Sequence, residues 1–537
     1  MKIQTYDVGT WLYPDSKITS LENSIVLDSA KNADVCFQIL TNLKCSKGTS
    51  IDWSLDTQDD GISVVVHELR PVLVQSNSSA KLLEATNWEE AKDFAVRQAP
   101  YEVYDLTRPI DDGKLWGETG YTAFFIRVNV AKDVTMGNKK LVLNLKIAEK
   151  EAAILINLNV HNAILSNVED SPFAMGFWLF KKTLKVCHNA ERFTDKFYEY
   201  AELYLKQMKE MRCNHIQIPT PEPIYNEDGK IVDFDFTECD RITEIALKLG
   251  FRYINSGFVA KFLHWRDSEY RLIWDLDTLV ESPEGYRQLL LYITKTKEYI
   301  NRHNIQNKYW QSLVDEPQVT NSVAYKALSL TFRKEMPDYL IIDPVETPNI
   351  AGACDVWIIK QATYEMYKEQ FDELRNRGEK FWIYTCGFPA GKWMNQAIDL
   401  PLAATRLIPW QAVRYGMVGF ADFGYMEYAD YSNPMYHTTL KIPYKGETRY
   451  YPPGNAAVVY TDGNMIYDSV RAHVHRISAE EAELLMKLRE YDEFACNKII
   501  DSVSTTFEEY VSDSAKIEFA RKMLFEKLDN CADKDSM

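Results

Sequence analysis

The sequence predicts a multi-domain protein with an N-terminal antiparallel β-sandwich, a (β/α)8 TIM barrel and a short C-terminal helical tail. Three observations favour this fold class: the length of 537 residues, a period-two alternation of apolar residues over the first 168 residues, and a regular succession of strand-like and helix-like segments after them. We expect the sandwich at residues 1–168, the barrel at 169–495 and the helical extension at 496–537.

The sandwich prediction depends on short runs that alternate polar and apolar side chains and are rich in Val, Ile, Phe and Leu. Turn-forming clusters at 47–50 and 111–113 separate these runs, as is typical of antiparallel strands. The stretch at 82–96 fits either a helix or a long loop. The runs lie at 24–27, 35–40, 62–69, 123–130, 141–147 and 153–160.

The barrel prediction depends on helical stripes that alternate with short apolar strands from about residue 170. Residues 195–211 carry apolar side chains at helical spacing from Phe197 to Met208, and a strand-like segment at 215–219 follows directly. About eight such units follow one another over roughly 310 residues, which favours a (β/α)8 barrel over a doubly wound sheet. No glycine-rich turn follows the first strand, so the pattern does not indicate a dinucleotide-binding domain.

The charge balance and the cysteine pattern exclude several classes of protein. With 61 Lys plus Arg against 78 Asp plus Glu, the net charge of −17 disfavours binding to nucleic acids and to anionic membranes. The nine cysteines include no CxxC pair, so we expect neither a disulfide framework nor a thiolate zinc site. The N-terminus lacks the apolar segment of a signal peptide and no apolar run is long enough to span a membrane, so we expect a cytoplasmic protein.

Two adjacent carboxylates, Asp315 and Glu316, end the predicted fourth barrel strand. In such barrels the active-site residues project from the C-terminal ends of the strands. Because neighbouring strand side chains point to opposite sides, both acids reach the site only if the chain bends, and Pro317 permits a bend there. A neutral and an ionised carboxyl group together suit the cleavage of a glycosidic bond. A solvated loop or a helix N-terminus would also account for the two acids.

Four blocks in order resemble the catalytic domain of glycoside hydrolase family 123, which groups β-N-acetylgalactosaminidases with related proteins. The resemblance covers roughly 170–495, and a β-sandwich before the barrel is also what the family has. The chain departs from the family at 419–425, where many relatives carry tryptophans, and this departure bears on the sugar more than on the reaction class. The blocks are L-V-D-E-P at 313–317, F-W-I-Y-T-C at 381–386, R-L-I-P-W-Q-A with Y-G-M-V-G-F at 406–420, and T-D-G-N with S-V-R at 461–471.

The resemblance implies a retaining mechanism in which the 2-acetamido oxygen of the sugar attacks the anomeric carbon and forms an oxazolinium intermediate. Glu316 would protonate the leaving oxygen and later deprotonate water, and Asp315 would orient the acetamide N–H and stabilise its positive charge. The adjacency of the two acids agrees with these roles, because neighbours cannot easily flank a bond from opposite sides ~5 Å or more apart. Tyr384, at the end of the seventh strand, is either a donor to the acetamide carbonyl or a core tyrosine.

Further side chains near predicted strand ends are candidates for binding the sugar. Aromatic rings suit the apolar faces of sugars, whereas amide, imidazole and carboxylate groups suit the hydroxyls; each of these side chains could instead be structural. His473 and His475 share a face if their segment is extended, but no nearby carboxylate or cysteine completes a metal site. The acidic run at 480–483 is typical of the first turn of a helix. The candidates are Trp357, Trp393, Asn255, His215, Asp343 and Tyr425.

The sequence therefore predicts hydrolysis of a terminal β-linked N-acetylhexosamine, with N-acetylgalactosamine as the favoured sugar. We expect no cofactor and no metal, because the acid, the polarising carboxylate and the substrate's own amide suffice. The expected partner is a carbohydrate, and the oligomeric state stays open, a homo-oligomer included. Two alternatives remain: a two-carboxylate barrel glycosidase with Asp343 or Asp422 as nucleophile, and a glycan-binding protein without turnover.

Overall fold

The N-terminal part of the chain forms two packed β-sheets. A computed structural model describes residues 1–78, 94–117, 120–387, 389–444 and 446–535, so positions 82–93 of the stretch left open between helix and loop lie outside the described residues. The strands are β1 (Ile3–Asp7), β2 (Ser24–Lys31), β3 (Ala33–Thr41), β4 (Ile51–Asp56), β5 (Ile62–Val74), β6 (Tyr101–Pro109), β7 (Ala123–Val130), β8 (Gly137–Ile147) and β9 (Lys150–Ile164).

From residue 174 the chain alternates strands with helices. The elements up to the last parallel strand are β10 (Ala174–Phe177), α1 (Lys181–His188), α2 (Asp195–Glu210), β11 (His215–Gln217), β12 (Glu222–Tyr225), β13 (Ile231–Asp235), α3 (Thr237–Lys248), β14 (Tyr253–Asn255), β15 (Ala260–Lys261), β16 (Arg271–Leu272), β17 (Asp275–Leu279), α4 (Pro283–His303), β18 (Tyr309–Trp310), α5 (Ser322–Glu335), β19 (Ile342–Val345), β20 (Val356–Lys360), α6 (Gln361–Met366), α7 (Lys368–Asn376), β21 (Lys380–Thr385), α8 (Leu402–Arg414) and β22 (Gly419–Asp422). They are followed by β23 (Lys441–Tyr444), β24 (Glu447–Tyr450), β25 (Tyr460–Thr461), β26 (Ile466–Ser469), α9 (Val470–Tyr491), α10 (Glu493–Asp501) and α11 (Ser514–Asp535).

The two N-terminal sheets enclose their own apolar core. The larger sheet has the order β1-β3-β7-β5-β6-β26-β25 and the smaller one β2-β9-β8-β4. Alternate side chains of both sheets, such as Phe37, Ile126, Leu143 and Ile156, are fully buried between them. The period-two pattern of the sequence therefore marks the side chains that face this core.

Parallel strands carry the C-terminal part of the chain, in two sheets. One sheet has the order β10-β22-β21-β20-β19 and the other β11-β14-β18. Backbone hydrogen bonds cross the two gaps. Across one, Gln311 N donates to Leu340 O at 2.8 Å and Ile342 N donates to Gln311 O at 3.0 Å; across the other, Asn214 N donates to Met175 O at 3.0 Å. The predicted alternation of parallel strands and helices is thus present, but the closed TIM barrel is not seen as one continuous sheet.

Side chains replace ladder hydrogen bonds where the fourth parallel strand ends. The backbone N–H of Ser312 donates to Ser256 Oγ at 2.9 Å, and that of Leu313 donates to Asp343 Oδ1 at 2.9 Å. Since the ladder stops after two residues in β18, the following residues need not continue as a strand. This local exchange of partners frees the chain to turn at Asp315 and Glu316.

The sandwich is not built by residues 1–168 alone. Strand β26 pairs with β6 in antiparallel register, with Ser469 opposite Leu106. Helix α9 then packs Val470 and Val474 against a cluster that contains Phe125. Among the described residues, the first 168 contribute no strand to the parallel sheets. The late segment 460–477 therefore joins the two halves of the molecule.

Helix α9 corrects two predictions. The segment 473–475 is helical rather than extended, so His473 stacks on Phe125 of the sandwich at 4.4 Å whereas His475 stacks on Phe420 of β22 at 5.5 Å. The acidic run at 480–483 lies in the middle of α9 and not in its first turn, and its glutamates are buried and form ion pairs with arginines, Glu481 with Arg406 at 2.6 Å. His473 and His475 therefore do not share a face, and the acidic run does not begin a helix. No helix in the described ranges has the length and apolarity to cross a membrane.

Candidate active site

The candidate active site lies where the chain turns after β18. Glu316 has φ of 48°, in the left-handed region that is uncommon for a residue with a side chain, and its N–H donates to Pro344 O at 3.1 Å. This turn is the bend that the two acids require. Asp315 is exposed, and the side chain of Glu316 is 17% exposed.

A lysine and a tyrosine contact the carboxylate of Glu316. Lys360 Nζ lies 2.7 Å from Glu316 Oε1, and the Tyr384 hydroxyl donates to the same oxygen. Lys360 also pairs with Glu346, whose second oxygen accepts a 2.7 Å hydrogen bond from Thr363 Oγ1. The Tyr384 hydroxyl is 3.5 Å from Glu346 Oε1. Three carboxylates, one ammonium group and one phenol therefore share the site.

Strand alternation decides which side chains reach this site. Val356 and Ile358 of β20 lie in the inner cluster with Tyr384, so Lys360, two residues on, points the same way. The side chain of Trp357 points to the opposite face of β20 and belongs to the core between strands and helices. The inner face of β20 therefore brings a charge, and not an aromatic ring, to the site.

The charges of the site raise the pKa of two carboxyl groups. Desolvation by the surrounding protein atoms together with the charge of Glu316 raises the pKa of Asp315 to about 7, although the residue keeps an exposed surface. Burial and the charge of Glu316 also raise the pKa of Glu346. Burial opposes the charge of Lys360, but the interactions with Glu316 and Glu346 together outweigh it and raise the pKa of Lys360. The cluster thus holds a proton near neutrality.

Asp343 is a structural carboxylate. It is fully buried, and it accepts hydrogen bonds from Leu313 N and, at 2.7 Å, from the Tyr325 hydroxyl. Burial raises its pKa well above the usual range. Its contribution is to hold the end of β18, and the predicted contact with a sugar hydroxyl is corrected because no face of Asp343 is free.

His215 and Asn255 are buried residues of the three-stranded parallel sheet. Their residues are 5% and 3% exposed, and His215 packs edge-on against Trp382 at 5.0 Å. Burial lowers the pKa of His215 to about 4, so the imidazole is neutral. Asn255 Nδ2 donates to Ser312 Oγ at 2.8 Å. Both side chains are enclosed by protein atoms in this structure, and their contact with a sugar stays a prediction.

The three predicted aromatic platforms have different surroundings. Trp357 is fully buried, lies 5.8 Å from the ring of Phe381 and donates its indole N–H to Glu379, so it offers no face to a sugar. Tyr425 is also fully buried and donates to Tyr204 O at 2.7 Å. Trp393, in the segment after β21, keeps part of its ring exposed. Of the three, Trp393 is the one with surface for a ligand.

Sequence reasoning missed Glu346 and Lys360. Glu346 directly follows β19 and Lys360 is the last residue of β20, which are the positions that drew attention to Asp315 and Glu316. Both would have been found by considering the polar residues at every strand end, together with the alternation of inward and outward side chains along β20. No group of three or more His, Cys, Asp or Glu in the described part of the chain is arranged to hold a metal ion.

A cleft with paired carboxylates at the ends of parallel strands is typical of glycoside hydrolases. The family profile for the catalytic domain of glycoside hydrolase 123 matches residues 178–488, more than half of the chain. The protein therefore belongs to glycoside hydrolase family 123, which confirms the resemblance seen in the sequence and makes it a glycoside hydrolase by class.

A solved structure of a family 123 enzyme shares the fold of this chain. A family 123 glycoside hydrolase from Clostridium perfringens, studied for glycolipid glycan hydrolysis, is similar with a TM-score of 0.74 and 12% identity over 100% of this chain and 99% of that chain. An endo-β-1,4-mannanase from Thermotoga petrophila gives a TM-score of 0.37 and 12% identity over 59% and 78% of the two chains. A family 5 mannosidase from Rhizomucor miehei gives a TM-score of 0.34 and 12% identity over 58% of this chain and 94% of that chain. No curated protein matches the sequence.

Proposed function

We propose that the protein removes a terminal β-linked N-acetylhexosamine, N-acetylgalactosamine in first place, by a retaining, substrate-assisted mechanism. The observation that carries this proposal is the turn at Glu316, which places two adjacent acids beside Lys360 and Glu346. Membership of family 123 supports the reaction class. The eight parallel strands and the backbone hydrogen bonds that cross the two gaps between their sheets support a (β/α)8 barrel as the scaffold of this site.

Two steps with balanced bonds and protons make up the proposed reaction. In the first, the acetamide oxygen forms a bond to the anomeric carbon, the glycosidic C–O bond breaks, and Glu316 gives its proton to the leaving oxygen. In the second, water attacks the anomeric carbon, Glu316 takes a proton from it, and the bond to the acetamide oxygen breaks. The two inversions return the β configuration, with no nucleophile from the protein.

The substrate's amide decides where the shared proton lies. Near neutrality the raised pKa of Asp315 places a proton on this residue for part of the time, whereas the contacts from Lys360 and Tyr384 suit an ionised Glu316. An acetamide N–H that donates to Asp315 favours its ionised form. Binding of the substrate would therefore move the proton towards Glu316, where the first step needs it.

Neither Asp343 nor Asp422, the two nucleophiles considered for the two-carboxylate alternative, is accessible. Asp343 is saturated as described, and Asp422 is fully buried and accepts hydrogen bonds from Thr385 Oγ1 and from Gly424 N at 2.6 Å. Burial raises the pKa of Asp422 to about 8, so it is neutral for much of the time at pH 7. A neutral, enclosed carboxyl group is poorly suited to attack an anomeric carbon.

A matched pair of substrates tests the proposal. We expect turnover of a nitrophenyl β-N-acetylgalactosaminide and none above background of the nitrophenyl β-galactoside, which lacks the acetamide. Proton NMR of the first product should show the β anomer before mutarotation. Equal turnover of both substrates would support a two-carboxylate enzyme, and binding without turnover of any N-acetylhexosaminide would support a glycan-binding protein.

A further inference from the structure

Lys360 lies between two glutamates that come from different strand ends. Its ammonium group is 2.7 Å from Glu316 and also contacts Glu346, and the side chains of the three residues are 12%, 17% and 19% exposed, respectively. Thr363 fixes the far oxygen of Glu346 from the first turn of α6. The lysine therefore has two competing anionic partners in one partly desolvated site.

A lysine with Glu316 as its single partner would conflict with an acid role. An opposite charge within ~4–6 Å favours the ionised form of a carboxyl group by 1–3 pH units. A general acid has to hold its proton until the leaving group takes it. Glu346 resolves this conflict, because a lysine that can pair with Glu346 need not hold Glu316 in its ionised form.

We propose that Lys360 and Glu346 are positioning residues that let Glu316 alternate between acid and base. When Glu316 is protonated, Lys360 pairs with Glu346; when Glu316 has given up its proton, Lys360 pairs with both carboxylates and stabilises the base that activates water. This proposal rests on the proposed function, since it assigns a role to Glu316 in that reaction.

Other titratable groups that face the cluster do not replace this pair. Asp315 adds a negative charge from the same turn, and the hydroxyl of Tyr384 donates to Glu316. Cys386 lies near Lys360 and Tyr451 lies near both Cys386 and Glu316. Burial raises the pKa of Tyr384 and of Tyr451 well above the usual range, so both phenols stay neutral. Lys360 is thus the cation that these groups place beside Glu316.

Opposite shifts of the pH profile test the pair. Glu346→Gln leaves Lys360 with Glu316 alone, so the alkaline limb of kcat/KM should move to lower pH by about one unit. Lys360→Met should move it to higher pH by about one unit, and the double variant should return it close to the wild-type position. Lys295→Met and Glu298→Gln are matched controls: Lys295, on the outer helix α4, also bridges two carboxylates, Asp233 and Glu298.

A readout that needs no turnover separates this proposal from the proposed function. The protein is labelled with 13C at the glutamate carboxyl carbons and titrated by NMR. The resonance that disappears in Glu316→Gln belongs to Glu316. Its titration midpoint should fall to lower pH in Glu346→Gln and rise to higher pH in Lys360→Met. If the wild type turns over no N-acetylhexosaminide but these midpoints shift, the proposed function fails and the charge pair stands. The proposal is overturned if Glu346→Gln and Lys360→Met lose activity at every pH while the limb of the kcat/KM profile and the midpoint of Glu316 stay in place. It is also overturned if both variants shift them in the same direction. Lys360 and Glu346 would then form a structural ion pair.

Discussion

Asp315 is the residue that most directly separates the proposed route from its alternatives. We predict that Asp315→Asn lowers kcat by ~10²–10³-fold, equivalent to ~2.7–4 kcal/mol, with a much smaller change in KM. The reason is that the asparagine keeps the size of the side chain but loses the charge that stabilises the acetamide as it becomes positive. Steady-state kinetics on the nitrophenyl N-acetylgalactosaminide provide the measurement.

Added azide supplies the control for Asp315→Asn. A variant that has lost a polarising group leaves no vacant nucleophile position, so azide should not restore turnover. A glycosyl azide of inverted configuration would instead identify Asp315 as the nucleophile and contradict the mechanism.

Trp357 and Trp393 form a matched pair for the aromatic platform. Since Trp357 is fully buried against Phe381, Trp357→Ala should cost ~3–5 kcal/mol of unfolding free energy with little change in KM. Trp393→Ala should raise KM with a much smaller loss of stability, because part of this ring is exposed. Urea unfolding and KM of both variants check this, and the reverse assignment would return Trp357 to the sugar site.

At this scale the sequence predicted the acids better than their surroundings. Asp315, Glu316 and Tyr384 are candidates because chemistry and strand ends coincide, and the structure places the hydroxyl of Tyr384 on Glu316, whereas its predicted contact with the acetamide carbonyl stays a prediction. Trp357 was assigned to the sugar site wrongly because the sequence does not show which side chains of β20 point inward. Val356 and Ile358 do, and Trp357 points to the other face. Lys360 was missed because a lysine at a strand end is usually a solvated side chain.

Helix α11 is held to the sandwich by a histidine between two carboxylates. His161 of β9 contacts Asp28 of β2 at 2.8 Å and Asp529 of α11 at 2.7 Å, and its ring stacks on Phe525. Burial lowers the pKa of His161, but the hydrogen bonds to both aspartates outweigh it and raise the pKa to about 9. Both ring nitrogens therefore carry protons at pH 7.

This contact predicts a loss of stability at alkaline pH. The folded pKa of His161, about 9, lies above the usual value of ~6.5, so its contribution is complete below pH ~6.5 and disappears as the pH rises through about 9. We expect ~2–3 kcal/mol of unfolding free energy to be lost across this window. Urea unfolding at pH 6 and pH 9.5 measures it. His161→Asn should flatten this pH dependence. The control His264→Asn, at an exposed loop position, should leave it unchanged. An unchanged dependence of the unfolding free energy on pH in His161→Asn would contradict the assignment.

Helix α9 shows why some elements escape sequence reasoning. Its polar residues, including Arg471, His473 and Glu481, are buried along with its apolar ones. A helix enclosed on every side has no polar stripe against which an apolar stripe stands out. The segment 473–475 therefore looked extended, and strands β25 and β26 were too short to reveal that they complete the sandwich.

On the scale of the whole molecule, a buried ion pair joins the two halves. Arg471 at the start of α9 pairs with Asp105 of β6 at 2.9 Å, and both side chains are 0% exposed. Removal of one partner leaves the other charge buried without compensation. We predict that Asp105→Asn costs ~3–5 kcal/mol and that the wild type unfolds in a single transition in urea, observed by both tryptophan fluorescence and circular dichroism.

A truncated chain checks the same coupling. Residues 169–495 alone should fail to fold, because β26 and α9 lose their partners in β6 and in the apolar cluster around Phe125. A cooperative thermal transition in this fragment would show that the halves are independent. Two separate transitions in the full chain would show the same.

The turn at Glu316 sets stability and catalysis against each other. An L-residue at φ of 48° pays an energetic cost that glycine does not, so Glu316→Gly should be more stable than Glu316→Ala by ~1 kcal/mol, the reverse of their order in ordinary backbone; paired melting curves check this. On the proposed role of Glu316, a population of variants selected for heat resistance alone would accumulate glycine at position 316 and lose activity. Selection for turnover would then be what keeps an acid at this strained position.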